Sequence, residues 1–172
     1  EYESLKRFAR HYKSGEPLPE SLHQKMLAAR NVGSGTATLQ QIFYGMLDMT
    51  YHSGYSPESG QSTTDILKSL QEKFTMYEYL EGTHFQASFG HLNGYAAGYY
   101  GYLWAKVYAE DIFSAFRHKG ILHPATGRRL RDELLAKGKA EDEYQLVKNF
   151  LGRAPNPAAF LKSLGLETAS PS

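Results

Sequence analysis

The stretch SFGHLNGYAAGYYGYLW, from Ser88 to Trp104, decides how the rest of this chain is read. It is the densest part of an unusual composition, with 13 Tyr and 16 Gly among 172 residues. The apolar spacing that begins here predicts a long helix from about Tyr95 to Arg117, stopping near Gly120. On such a helix Tyr95, Tyr99 and Tyr102 stand at i, i+4 and i+7 and share one face. Tyr100, Leu103, Val107 and Ile112 share another, which is the expected packed face. Gly98 and Gly101 each weaken a helix by about 1 kcal/mol relative to Ala. They make sense where a backbone or a ligand approaches closely. Gly90 and Gly94 give the loop around His91 freedom to move. A Tyr O–H can donate to a developing oxyanion, and a His can do the same or steer a substrate carbonyl. Clustered tyrosines also form the amphipathic edge of a core, and spacing alone leaves both readings open.

Outward from this stretch the pattern is helical almost throughout. Leu5, Phe8, Ala9 and Tyr12 predict a first helix, stopped by Gly15 and Pro17. Pro19 suits a first turn, with Leu22, Met26 and Ala29 as the next buried stripe. Thr36 or Thr38 can cap a third helix carrying Leu39, Ile42, Phe43, Met46 and Leu47. Residues 51–62 read as a polar loop. Thr63 or Thr64 can cap a fourth helix through Ile66, Leu67, Leu70 and Phe74. Residues 76–94 are less regular, with a short extended piece expected at Phe85–Ala87. Pro124 and Thr126 open a helix carrying Leu130, Leu134 and Leu135 and ended by Gly138. Tyr144, Val147 and Leu151 mark another, and Phe160, Leu161 and Leu164 a last short one. No repeat or interdomain linker is evident. The expected fold is all-α, one multi-helix domain over residues 1–166, followed by a flexible polar tail at 167–172.

Composition narrows the function classes. Nineteen basic and 18 acidic residues give a net charge of +1, which does not suggest a nucleic-acid or acidic-membrane binder. Arg128, Arg129 and Arg131 read as a solvated helix face. The absence of Cys excludes disulfide scaffolds, Cys-ligated zinc and thiol nucleophiles. No stretch approaches the roughly 18 consecutive apolar residues of a membrane span. The seven histidines are His11, His23, His52, His84, His91, His118 and His123. No two are four apart, so a His-Glu-x-x-His metal helix is missing and no metal ligand is assigned. His11, His23 and His52 read as helix-surface or loop residues. His84, close before the motif, is a candidate to line a cleft with it.

The run Phe89-Gly90-His91-Leu92, through Gly94-Tyr95 to Tyr99-Tyr100-Gly101-Tyr102-Leu103-Trp104, closely resembles the C-terminal region of the thimet oligopeptidase (M3) family of zinc metallopeptidases. So do RHYKSGEPLP (Arg10–Pro19), FLGRAPNP (Phe150–Pro157), Ala159-Phe160-Leu161 and Gly165-Leu166. Together they extend from about Leu5 to Leu166. The resemblance implies the C-terminal part of a larger, mostly helical peptidase that hydrolyses short peptides. It implies catalytic, oxyanion-stabilising roles for Tyr102 and Tyr95. It implies substrate binding by His91, Tyr99 and the loop glycine Gly94. Zinc is expected in the full-length parent and not in this piece, which alone is expected to be inactive. The expected partners are short peptides and the N-terminal remainder of the parent, with no nucleic acid and no membrane. The expected compartment is the cytoplasm, with the mitochondrial matrix as the alternative. A contrasting reading is a free-standing helical module that docks a peptide or protein on its Tyr face.

Overall fold

The computed structural model describes residues 1–166, and the expected flexible tail lies outside the described residues. In chain order the helices are α1 (Tyr2–Leu5), α2 (Glu20–Ala29), α3 (Ser34–Ser53), α4 (Thr63–Phe74), α5 (Phe85–Ser88), α6 (His91–Gly94), α7 (Gly101–Lys119), α8 (Pro124–Arg129), α9 (Glu143–Leu151) and α10 (Ala158–Ser163). Among the described residues no sheet forms, so the architecture is all-α; a single antiparallel bridge joins Arg10 to Pro17. Among the described residues no helix is long and apolar enough to cross a membrane. The described residues gather into two compact units, Gly33–Ala105 and Glu1–Val32 with 106–166.

Unit Gly33–Ala105 holds the Tyr/Gly stretch. Its core is Phe43 and Leu47 of α3, Ile66 and Leu67 of α4, and Phe89 and Tyr99. α4 starts with a capping box, in which Ser62 Oγ accepts from the Asp65 amide at 3.1 Å and the Asp65 carboxylate accepts from the Ser62 amide at 3.0 Å. The cap is therefore one residue before the expected Thr63, because Ser62 has Asp65 at N3 to reciprocate. α3 starts at Ser34 rather than at a Thr cap, with Gly33 ahead of it at φ +73°. It also runs three residues into the expected polar loop, to Ser53. There the Tyr51 hydroxyl donates to the Thr63 carbonyl at 2.6 Å and ties the end of α3 to the start of α4. The buried stripe of α3 is Phe43, Gly45, Leu47 and Asp48, and the expected core residues Leu39 and Met46 are exposed. The extended piece expected at Phe85–Ala87 is instead the short helix α5.

In the other unit, α1 stops at Leu5, and the helix expected through Tyr12 gives way to a tight reversal. The His11 amide donates to the Glu16 carbonyl at 2.8 Å and the Leu18 amide to the Ala9 carbonyl at 2.9 Å. Gly15, at φ +72°, makes that reversal possible. On α2 the buried side chain is His23, whereas Leu22 and Met26 are exposed. The helix expected from Pro124 to Leu135 opens after Arg129 into a π turn over Leu130–Leu134 and a 3-10 turn over Leu135–Lys137. Leu146, Val147, Phe150 and Phe160 are buried.

Buried Asp111 of α7 anchors the segment that follows α9. It accepts from both terminal nitrogens of the Arg153 guanidinium and, at 2.9 Å, from the Asn156 amide. Burial works to raise its carboxyl, but the Arg153 and Asn156 hydrogen bonds outweigh it and hold Asp111 below the usual carboxylate range.

Candidate active site

The three tyrosines that were expected on one helix face come together by another route. Tyr95 follows the one-turn α6, Tyr99 lies in the connecting turn, and Tyr102 is in the first turn of α7. The expected helix does not begin at Tyr95, because Ala97 adopts the left-handed conformation at φ +54°. That conformation costs a non-glycine residue about 1–2 kcal/mol. It is compensated from α3. The Asp48 carboxylate accepts from the Ala97 amide at 3.0 Å and from the Tyr99 amide at 2.9 Å.

The result is a compact group. His91 Nε2 and the Tyr102 hydroxyl are 3.2 Å apart. The His91 ring centroid lies 5.0 Å from that of Tyr99, 5.7 Å from Tyr102 and 6.2 Å from Tyr95, in edge-to-face arrangements. Tyr95 and Tyr102 are 5.7 Å apart, and Tyr99 and Tyr102 are 5.1 Å apart. Phe89 supports the group from the core, 5.2 Å from both His91 and Tyr99.

The tyrosines differ in exposure. Tyr95 and Tyr102 are 46% and 49% exposed, so their O–H groups can reach a ligand. Tyr99 is 8% exposed, and its hydroxyl donates to Gln41 Oε1 at 3.0 Å. Burial, chiefly, and then the nearby Tyr44 phenol push the Tyr99 phenol above its ordinary value. Tyr100, expected on the packed face, is exposed. Its backbone lies against α3 instead, where a Cβ on Gly45 would stand 3.6 Å from the Tyr100 Cα. Gly98 lies under Tyr95, and a Cβ there would stand 3.1 Å from the Tyr95 ring. Gly90, His91, Gly94 and Tyr95 line an open depression of about 470 Å³ beside the group.

Asp48 is a residue of this group that the sequence reading missed. Asp48 is fully buried, and its Oδ1 also stands 2.9 Å from His52 Nδ1. An uncompensated buried carboxylate would be strongly destabilising. Here two backbone amides satisfy it, one on each oxygen. His52 is exposed on the last turn of α3, as expected of a helix-surface residue, and its Nδ1 stands 2.8 Å from the Asp48 carbonyl oxygen. The sequence signal was an acid inside an apolar helical stripe, four residues before a His. His23, also expected at the surface, is buried in the other unit, with its ring 5.3 Å from that of Tyr2. His11 is exposed, as expected.

His84 stands apart from the His91 group. It lines a different depression with Tyr51, His52 and Gln86, and its Nδ1 is 3.4 Å from the Thr64 hydroxyl. Among the described residues no three His, Asp or Glu side chains gather closely enough to hold a metal ion. The residues present therefore do not fit the zinc that the resemblance implies for a parent protein.

The cluster thus offers two exposed phenols and an imidazole beside an open depression, with the backbone beneath them fixed. Comparison with known proteins gives the family. A family model described as peptidase family M3 matches residues 1–166. The chain is 37% identical over 169 residues to "Oligopeptidase A" of Escherichia coli (strain K12), covering 97% of this chain and 25% of that protein. It is 35% identical over 174 residues to "Probable cytosolic oligopeptidase A" of Arabidopsis thaliana, covering 98% and 25%. It is 34% identical over 164 residues to "Mitochondrial intermediate peptidase" of Homo sapiens, covering 95% and 23%. The chain spans about a quarter of the length of these relatives. With one family model matching every described residue, and these identities maintained across nearly the whole chain, the chain belongs to peptidase family M3.

Proposed function

We propose that this chain is the substrate-side portion of a peptidase that hydrolyses short peptides. Its part is to hold the peptide backbone and to stabilise the charge that develops on the scissile carbonyl. The observation that carries this reading is the His91–Tyr102 contact at 3.2 Å, with the exposed Tyr95 phenol in the same group. When water attacks a peptide carbonyl, its oxygen becomes an oxyanion. A phenol fixed in advance stabilises that oxyanion more than the ground-state carbonyl. Tyr102 and Tyr95 are the donors, and His91 and Gly94 border the depression where the peptide backbone would lie. Tyr99 was expected to contact substrate directly. Its buried hydroxyl is already donated to Gln41, which favours a role in supporting the rings of Tyr102 and His91. In this reading the metal-binding residues come from the rest of the parent. Relatives named as cytosolic and mitochondrial support the cytoplasm as its compartment, with the mitochondrial matrix as the alternative.

The test is Tyr102→Phe in the full-length peptidase. Loss of one oxyanion donor should lower kcat by about a hundredfold or more and change KM far less. A variant that keeps wild-type kcat would defeat the assignment.

A further inference from the structure

We infer that Asp48 is a positioning residue: from the C-terminal third of α3 its carboxylate sets the backbone of the Tyr/Gly turn and so places the phenols of the proposed site. The inference rests on the reading of Tyr102 as an oxyanion donor. Its evidence is independent of that reading and lies in the way α3 meets the turn.

Gln41, Gly45, Asp48 and His52 fall at i, i+4, i+7 and i+11, one continuous stripe of α3. Gln41, Gly45 and Asp48 each meet the turn. Gln41 accepts the Tyr99 hydroxyl at 3.0 Å. The Tyr100 backbone packs on Gly45, where a Cβ would be in ordinary contact with the Tyr100 Cα at 3.6 Å. Asp48 takes the Ala97 and Tyr99 amides on its two oxygens, one on Oδ1 and one on Oδ2. His52 Nδ1 stands 2.9 Å from Oδ1, the oxygen that takes the Ala97 amide, and 2.8 Å from the Asp48 carbonyl oxygen.

Two amides on two different oxygens define an orientation, which a single hydrogen bond would not. The residue between the two anchored positions is Gly98, which lies under the Tyr95 ring. Three residues after Tyr99 comes Tyr102. Asp48 touches no hydroxyl of the group, so its influence on the chemistry passes through the backbone. An Asn at this position could accept one amide only and would aim an N–H at the other, donor against donor.

The experiment compares Asp48→Asn, Tyr102→Phe and the double variant in the full-length peptidase, at a temperature where each is folded. Asp48→Asn is expected to lower kcat about ten- to a hundredfold, the scale of a misplaced catalytic group, with KM nearly unchanged. Adding Tyr102→Phe should then remove little more, because a displaced phenol has little left to lose. Wild-type kcat in folded Asp48→Asn, or losses that simply multiply in the double variant, overturn the inference. Amide hydrogen exchange on the wild-type peptidase decides the matter even if Asp48→Asn does not fold. The Ala97 and Tyr99 amides should exchange as slowly as those in the middle of α3, and rapid exchange there overturns the anchor. Unchanged kcat in Tyr102→Phe defeats the oxyanion reading alone, while slow exchange at Ala97 and Tyr99 still supports the anchor.

Discussion

His91 Nε2 stands 3.2 Å from the Tyr102 hydroxyl, and the two rings meet edge to face. The imidazole therefore fixes the direction of the phenol as well as bordering the adjacent depression. Removing it affects both. His91→Ala in the full-length peptidase should lower kcat/KM by about 1.5–3 kcal/mol in transition-state stabilisation, roughly ten- to a hundredfold. KM should rise as kcat falls, unlike Tyr102→Phe, which should act on kcat. Steady-state kinetics on a short peptide separate the two patterns. Identical patterns would mean that His91 acts only through Tyr102.

His91 joined the group only through what the family resemblance implies, whereas the convergence of Tyr95, Tyr99 and Tyr102 was legible in the sequence from their spacing. The reason given for it, a shared helix face, was not the one the structure shows. The turn depends on Ala97 adopting φ +54°, and that depends on a carboxylate 49 residues earlier. Helical periodicity describes local spacing and carries no trace of so distant a partner. α4 was legible because its amphipathic spacing is local and strong, and so was the end of α7 near Gly120. α1 was over-extended because Leu5, Phe8 and Tyr12 have helical spacing, while the backbone pairing of Ala9 and His11 with Leu18 and Glu16 overrides it.

Tyr51 gives a stability prediction at alkaline pH. Its phenol donates to the Thr63 carbonyl at 2.6 Å, and burial, with a smaller effect from Tyr55, pushes its pKa up to about 12. An unfolded chain ionises the same group near pH 10. The folded state thus favours the neutral phenol, and the stabilisation is complete below about pH 10. It is lost as pH rises through about 12. Tyr51→Phe should be about 1 kcal/mol less stable at neutral pH. The gap should narrow across that alkaline window in denaturant melts. A constant gap up to the top of the window would contradict the assignment.

Asp111 behaves in the opposite sense. Its folded pKa is depressed, so its stabilisation is present above the unfolded value of about 3.9 and is lost as pH falls through the lower folded value. Asp111→Asn leaves Arg153 without its charge partner and removes an acceptor of the Asn156 amide. Because the Arg153 side chain is 44% exposed, solvent offsets part of the loss, and about 2–3 kcal/mol is expected rather than the larger cost of breaking a fully buried pair. Melting temperatures of wild type and variant should differ by a constant amount near neutral pH and converge below about pH 4. Convergence already above about pH 5 would show that another group dominates.

Gly98 and Gly94 lie four residues apart in the same motif, and their substitutions should separate packing from access. At Gly98 an added methyl would stand 3.1 Å and 3.2 Å from two carbons of the Tyr95 ring and 3.2 Å from the Tyr95 carbonyl oxygen. The ring can swing aside, but the carbonyl is backbone and can move little. Gly98→Ala should therefore cost about 1–2 kcal/mol of stability through overpacking. It should also displace the Tyr95 phenol from Tyr102 and lower kcat. At Gly94 nothing lies within 4 Å of the added methyl. Gly94→Ala should melt close to wild type, and its effect should appear in KM, because the methyl would intrude on the depression beside His91. Thermal melts and kinetics on the two variants test this contrast directly. A stability loss at Gly94 equal to that at Gly98 would show that conformational freedom, rather than contact with Tyr95, is what the motif's glycines supply.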